Sequence, residues 1–387
     1  MNIDAFAFAT LVLILSVFVY RHRKDIEVVP VIKPVMSFYM YRTTIGLDLM
    51  DSIANRWGWM LVRLESAIVG VGFAGMAFVS FEMVRNLVVS LTNPSAISGA
   101  ALVLPIQAKG VFYVPFFYWI IAILVVVCIH EFCHGLWSRV AGIRVLASGF
   151  AFLSILLPVI PAAFVEPNEK KLAKQSAKAQ LSVFAAGPVS NLVFGLLLMV
   201  LSLSITRLVI DPMHSLEGVT IQGFHADQNY AIHTSGMSVG ERIVGIDSTD
   251  IRKTADLSAA LEGKKPGDGV IVRTNRAHYP LTLGTNPADA TKPYLGVLIK
   301  QYKELTDPNL GKEILVWLDG LLFWVFVLSL GVGFFNLLPL GIVDGGRMFH
   351  TLAAMYMPRE RAAKVYHAVS ACFMIVIVGS LVINFIR

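Results

Sequence analysis

Residues 125–137 read VVVCIHEFCHGLW and place His130, Glu131 and His134 in the last third of a long apolar run. On a helix the two histidines, four apart, share one face, and both imidazoles can reach a single Zn²⁺. The glutamate between them is then placed to take a proton from a water molecule at the metal. Ionisable groups clustered in a segment apolar enough to enter a bilayer are costly, and such residues are functional candidates by default. The chemistry indicated is hydrolysis at a zinc site inside a membrane.

Two histidines leave a hydrolytic zinc site short by one protein ligand. The candidate stands in residues 334–348, FFNLLPLGIVDGGRM, where Asp344 follows an apolar run interrupted by Pro339 and Gly341 and precedes Gly345 and Gly346. A carboxylate there, on backbone loosened by proline and glycine, can turn inward to a metal. By spacing alone it fits an Asp-Gly turn in a cytosolic loop equally well.

The elements that must position these groups are membrane spans. The 387 residues are 56% hydrophobic and 15% charged, against about 25% charged in ordinary soluble domains. The net charge of +6 comes from basic residues beside apolar runs, which suits the positive flanks that orient membrane helices rather than nucleic-acid binding. Cys128, Cys133 and Cys372 all lie in apolar segments without a CxxC spacing. They read as small apolar side chains.

Residues 5–20 are apolar and are followed at once by Arg21, Arg23 and Lys24, which marks an uncleaved anchor rather than a signal peptide. Residues 21–63 carry seven Lys/Arg and read as a cytosolic or interfacial connector. Further spans are expected at 64–89, 111–137, 181–209, 314–340 and 365–386. Between them, 145–165 is apolar but broken by Gly149, Pro158 and Pro161. From about 215 to 299, short β-rich runs alternate with turn residues, and 253–262 has the amphipathic pattern of a helix.

Together, His130-Glu131-x-x-His134 and Asn336-x-x-Pro339-x(4)-Asp344-Gly345 resemble the paired motifs of the site-2 protease family of intramembrane zinc metalloproteases. AAGPVSN at 185–191 is similar to that family's Gly-Pro-x-x-Asn segment. The resemblance implies Zn²⁺ held by His130, His134 and Asp344, with Glu131 as the base. It also implies that Asn191 and Asn336 hold substrate backbone or the oxyanion; for each, a helix–helix hydrogen bond in lipid is the structural alternative. The insert, with SGMSVGERIVGID at 235–247 and KPGD at 265–268, resembles a PDZ domain, with Glu241 in place of the usual Asp.

A shared metal constrains the topology. His130 lies roughly 20 Å along its helix from Phe116, toward the cytosolic side of a ~30 Å core. Asp344 reaches the same depth only if 145–165 dips into the membrane and returns instead of crossing. The expected fold is therefore a polytopic α-helical membrane protein, with about six transmembrane helices and one re-entrant segment, carrying an inserted small α/β PDZ-like domain. Its regions are 1–110 (N-terminal spans and connector), 111–212 (first part of the catalytic core), 213–303 (PDZ-like) and 304–387 (second part of the core). Both termini and the PDZ-like domain are expected outside the cytosol, in the cell membrane. The expected partners are single-span membrane protein substrates, the lipid bilayer and a peptide C-terminus at the PDZ-like domain, and no nucleic acid. A catalytically silent adaptor acting through the PDZ-like domain is the rival reading.

Overall fold

The first apolar run folds as helix α1 (Ile3–Arg21), with Asp4 in its first turn and Arg21 in its last, each complementing the helix dipole. The computed structural model describes residues 3–32, 36–93, 99–155, 157–225, 230–287, 289–341 and 343–386. Among them, six helices are long and apolar enough to cross a membrane. The chain divides into two compact units, one of residues 1–203 with 318–387 and one of residues 204–317.

In the first unit, α1 is followed by strands β1 (Ile26–Ile32) and β2 (Met36–Thr43), and then by helix α2 (Leu47–Thr92) of 46 residues. At 1.5 Å per residue α2 is about 69 Å long, more than twice the ~30 Å hydrocarbon core. Residues 21–63, expected as a connector between spans, thus hold the strand pair β1–β2 and the first turns of α2. Strands β3 (Leu102–Leu104) and β4 (Val111–Tyr113) form a short parallel pair. Helix α3 (Phe116–Val140) starts only after Pro115, so 111–113 is not helical.

Strands β5 (Val145–Ile155) and β6 (Leu157–Pro167) form an antiparallel hairpin, with Val145 opposite Pro167. The segment thus returns beside its own start. It joins the N-terminal hairpin in one sheet of order β1-β2-β5-β6. Pro30 and Pro161 fall in the two outermost strands, where a missing N–H can face away from the ladder. Helix α4 (Glu169–Leu172) is capped by Asn168, whose side chain accepts from the Lys171 N–H. Helix α5 (Ala177–Ile205) follows, with Pro188 inside it. The charges of α2 are answered from its neighbours: Asp51 pairs with Arg139 on α3 at 3.0 Å, and Glu65 with Lys178 on α5 at 3.7 Å.

The second unit contains β7 (His214–Phe224), β8 (Arg242–Ile246), β9 (Thr249–Asp250), helix α6 (Thr254–Leu261), β10 (Gly269–Thr274), β11 (His278–Thr282), β12 (Gly284–Asn286), β13 (Asp289–Tyr294) and β14 (Val297–Leu305). The main sheet runs β11-β10-β8-β7-β14, with β9 on β8. Val270, Val272 and Thr274 alternate inward along β10, and Val219, Ile221, Ile243 and Ile246 join the same core. Asp256 caps α6 by accepting from the N–H groups of Arg252 and Lys253. Glu241 is buried in this unit.

Helix α7 (Leu310–Asn336) ends at a tight turn, after which come α8 (Asp344–Tyr356) and α9 (Arg359–Ile386). The turn is held by Leu337 and Leu338, whose N–H groups donate to the carbonyls of Phe334 and Phe335. Leu337, Leu338 and Leu340 are all buried to 1% exposure or less, which anchors the turn in the first unit's core. Asp344 therefore opens a helix of its own and does not sit on the end of α7.

Candidate metal centre

One turn of α3 separates His130 from His134, and their Nε2 atoms stand 3.1 Å apart. Oδ2 of Asp344, more than two hundred residues further along the chain, lies 3.1 Å from each. Among the described residues these three form the one His/Cys/Asp/Glu cluster compact enough to hold a metal ion. Three donors around Zn²⁺ at about 2.0–2.1 Å would stand about 3.3 Å apart in tetrahedral geometry, so the observed triangle fits three corners of such a site.

Glycines let the elements come this close. A Cβ on Gly187 of α5 would fall 2.3 Å from Nε2 of His134 and 2.8 Å from Nε2 of His130, so α5 must present bare backbone to the cluster. A Cβ on Gly346 would fall 1.8 Å from the Leu340 carbonyl oxygen, which is why α8 can start directly against the preceding turn.

The proton inventory also suits a cation. Nδ1 of His134 lies 2.7 Å from the Val183 carbonyl and donates to it, which leaves the Nε2 lone pair of the neutral ring facing Asp344. Asn191 is fully buried and its amide lies 3.1 Å from Nδ1 of His130, while its Oδ1 has no partner. Turning that amide by half a revolution lets Oδ1 accept from Nδ1–H of His130. That turn satisfies the orphaned oxygen and frees Nε2 for a metal. Asn191 thus touches a ring of the cluster and is not among the residues lining the cavity in front of it; of its two expected readings, the contact seen is the hydrogen bond between helices.

That cavity has a volume of about 290 Å³, and its lining includes His130, Glu131, His134, Asn336 and Asp344. Oε2 of Glu131 accepts from the Val165 N–H at 3.0 Å, which ties the carboxylate to β6. Asn336 lines the cavity while its Nδ2 donates to the Val332 carbonyl one turn back. Arg347 pairs with Glu169 at 3.3 Å among the lining residues.

All six expected site residues are thus gathered around one point, Asn191 from behind. Residue spacing carries no signal for the Val165 N–H or the Val183 carbonyl, and Gly187 stands in the Gly-Pro-x-x-Asn segment without showing that it faces the histidines. Elsewhere, His214 and His233 bond to the carbonyls of Ile210 and His225, and the His350 ring packs on Tyr366.

The model of peptidase family M50 matches residues 118–378. An uncharacterized protein of Methanocaldococcus jannaschii is 23% identical over 331 residues, covering 84% of this chain and 80% of the relative. A solved PDZ domain of an SdrC-like protein from Listeria monocytogenes aligns with 21% of this chain and 87% of that domain, at 17% identity. Its TM-score of 0.19 carries no argument about the inserted unit.

Proposed function

Because the chain belongs to peptidase family M50, the site-2 protease family of membrane metalloproteases, we propose that it is a zinc protease that hydrolyses peptide bonds in or near the membrane spans of single-span proteins. The observation that carries this reading is the triangle of His130 Nε2, His134 Nε2 and Asp344 Oδ2, each 3.1 Å from the others, with Glu131 on the same cavity. Zn²⁺ held there would act as a Lewis acid, activating water at neutral pH and polarising the scissile carbonyl.

The chain's own groups do the rest. Glu131 takes the proton of the attacking water and returns it to the leaving amine nitrogen. Asn336, on the cavity wall, is the side chain best placed to donate to the oxyanion. Asn191 fixes the tautomer and orientation of His130 from behind, as partners of metal-bound histidines do. A transmembrane helix hides its peptide bonds behind its own hydrogen bonds, so cleavage requires local unwinding. β6, at the end of its sheet, is the element to which an unwound strand would add.

The active site then lies toward the cytosolic side, with the insert and both termini outside the cytosol. In the insert, a groove of about 820 Å³ runs beside α6 and β14, lined by Leu257, Leu261, Leu295, Val297 and Ile299 with Lys264. An extended peptide C-terminus with an apolar last residue suits it, and this groove is what would serve an adaptor.

The test is co-expression with a tagged single-span substrate. The chain should release a fragment from the substrate and Glu131→Gln should not, with a loss of about 10²–10⁴-fold. Equal cleavage by both forms, or by neither across a panel of substrates, would leave the adaptor standing.

A further inference from the structure

A second cavity, of about 170 Å³, lies on the other side of the base. It shares Glu131 and Val165 with the cavity of the metal centre, so the Glu131–Val165 contact forms a wall common to both. Its remaining surface is largely apolar: Ile45, Met50, Phe132, Phe150, Ala163 and Phe164. Two of these come from the N-terminal region, outside the part of the chain that matches the family. Ile45 lies on the turn between β2 and α2, and Met50 in the first turn of α2. Met50 is 2% exposed and packs on Gly135, the residue after His134. The floor of the cavity is thus fastened to the helix that carries the candidate ligands.

We propose that this cavity is the subsite for an apolar side chain flanking the scissile bond, and that the β2–α2 corner is its specificity-determining wall. The inference rests on the protease reading above. For Glu131 to exchange a proton with the attacking water and the amine, the scissile peptide must lie against its carboxylate. One residue of an extended strand spans about 3.3 Å, so a neighbouring side chain falls within reach of a cavity that begins at the same carboxylate. The size agrees, since an apolar cavity of about 150 Å³ takes up a benzene molecule. A leucine, methionine or phenylalanine side chain fits. A charged one would lose its solvation without a partner. On this account the N-terminal region does more than anchor the chain: its β2–α2 corner carries one wall of the substrate site.

The experiment has two arms on the full-length chain. In the first, substrates differing only at the residues flanking the mapped cleavage site (Ala, Leu, Phe or Asp) are compared for kcat/KM. The wild type should favour Leu or Phe over Ala and Asp by at least about 10-fold, the scale of a single methylene in a fitted pocket. Ala163→Phe, which fills the cavity, should move the preference to Ala, and Ile45→Ala should relax it, both with zinc content unchanged. Cleavage with an identical preference in all three forms would overturn the subsite and leave the protease reading intact.

The second arm needs no turnover. Cys128 lines the same cavity, so under an added mild thiol oxidant such as copper phenanthroline a substrate with a cysteine at the flanking position should form a disulfide with the Glu131→Gln chain, lost in Glu131→Gln/Cys128→Ser. Absence of that cross-link, as expected if the cavity holds only a lipid chain, would overturn the proposal. Cross-linking without cleavage by the wild type would instead overturn the protease reading.

Discussion

Each of the two units encloses a carboxylate, Glu241 buried and Asp344 partly so, and the two are satisfied in opposite ways. In the second unit Glu241 is met by donors: Oε1 accepts from the Ser238 N–H at 3.0 Å and the Tyr279 hydroxyl at 3.3 Å, and Oε2 from the Thr274 hydroxyl at 2.9 Å. Arg276 adds a cation at 4.0 Å. In the first unit Oδ2 of Asp344 faces the Nε2 atoms of two imidazoles, and the His134 ring donates from its other nitrogen, Nδ1, to the Val183 carbonyl. The difference separates a structural pin from a candidate metal site: an acid surrounded by donors is complete, whereas one that converges with lone pairs can share a cation with them.

This contrast can be broken, most severely by removing a ligand. His134→Ala or Asp344→Ala should reduce bound zinc from one per chain to background after dialysis against a chelator, and Glu241→Gln should keep a full complement. Retention of zinc by both ligand variants would dissolve the distinction. A smaller effect is expected behind the cluster. Asn191→Ala should weaken zinc binding about 10–100-fold by competition titration, as loss of an outer partner of a metal-bound histidine does.

Glu241→Ala tests the other side. It strips partners from Thr274, Tyr279 and the Ser238 N–H, and should destabilise the insert by about 1–3 kcal/mol. Limited proteolysis of the full chain should show earlier cutting within 204–317, with zinc content unaltered.

The smallest effect belongs to Asp247, a surface carboxylate of the same unit. The Ile271 N–H and then Lys264 at 2.7 Å hold its pKa below the ordinary value. A depressed folded-state pKa adds stability that is present above the unfolded value, about 3.9, and is lost as pH falls through the folded one. Protease resistance of the insert should therefore fall below about pH 4 in the wild type. Asp247→Asn should flatten that acid limb slightly, and an unchanged limb would remove Asp247 from the account.

His130, Glu131 and His134 were legible because a helix repeats every 3.6 residues, so spacing alone sets which groups share a face. The six spans and the inserted β-rich unit followed from composition and alternation, which are equally local. What lay beyond the sequence was pairing over distance. Residues 21–63 read as a cytosolic or interfacial connector, and the pairing of β2 with β5 is not legible there, because strand partners are chosen by neighbours that local pattern does not name. Asn191 reads equally as a substrate contact or a helix–helix hydrogen bond, and the structure shows it against His130 on α3. By spacing alone Asp344 is an even choice between ligand and turn; the paired motifs make it the third ligand, and three buried leucines hold the turn before α8 that places it. The sequence by itself determined which groups could bind a metal. The tertiary structure decided that they do meet, because convergence of three donors to 3.1 Å depends on close approach at Gly187 and Gly346, and local periodicity does not encode it.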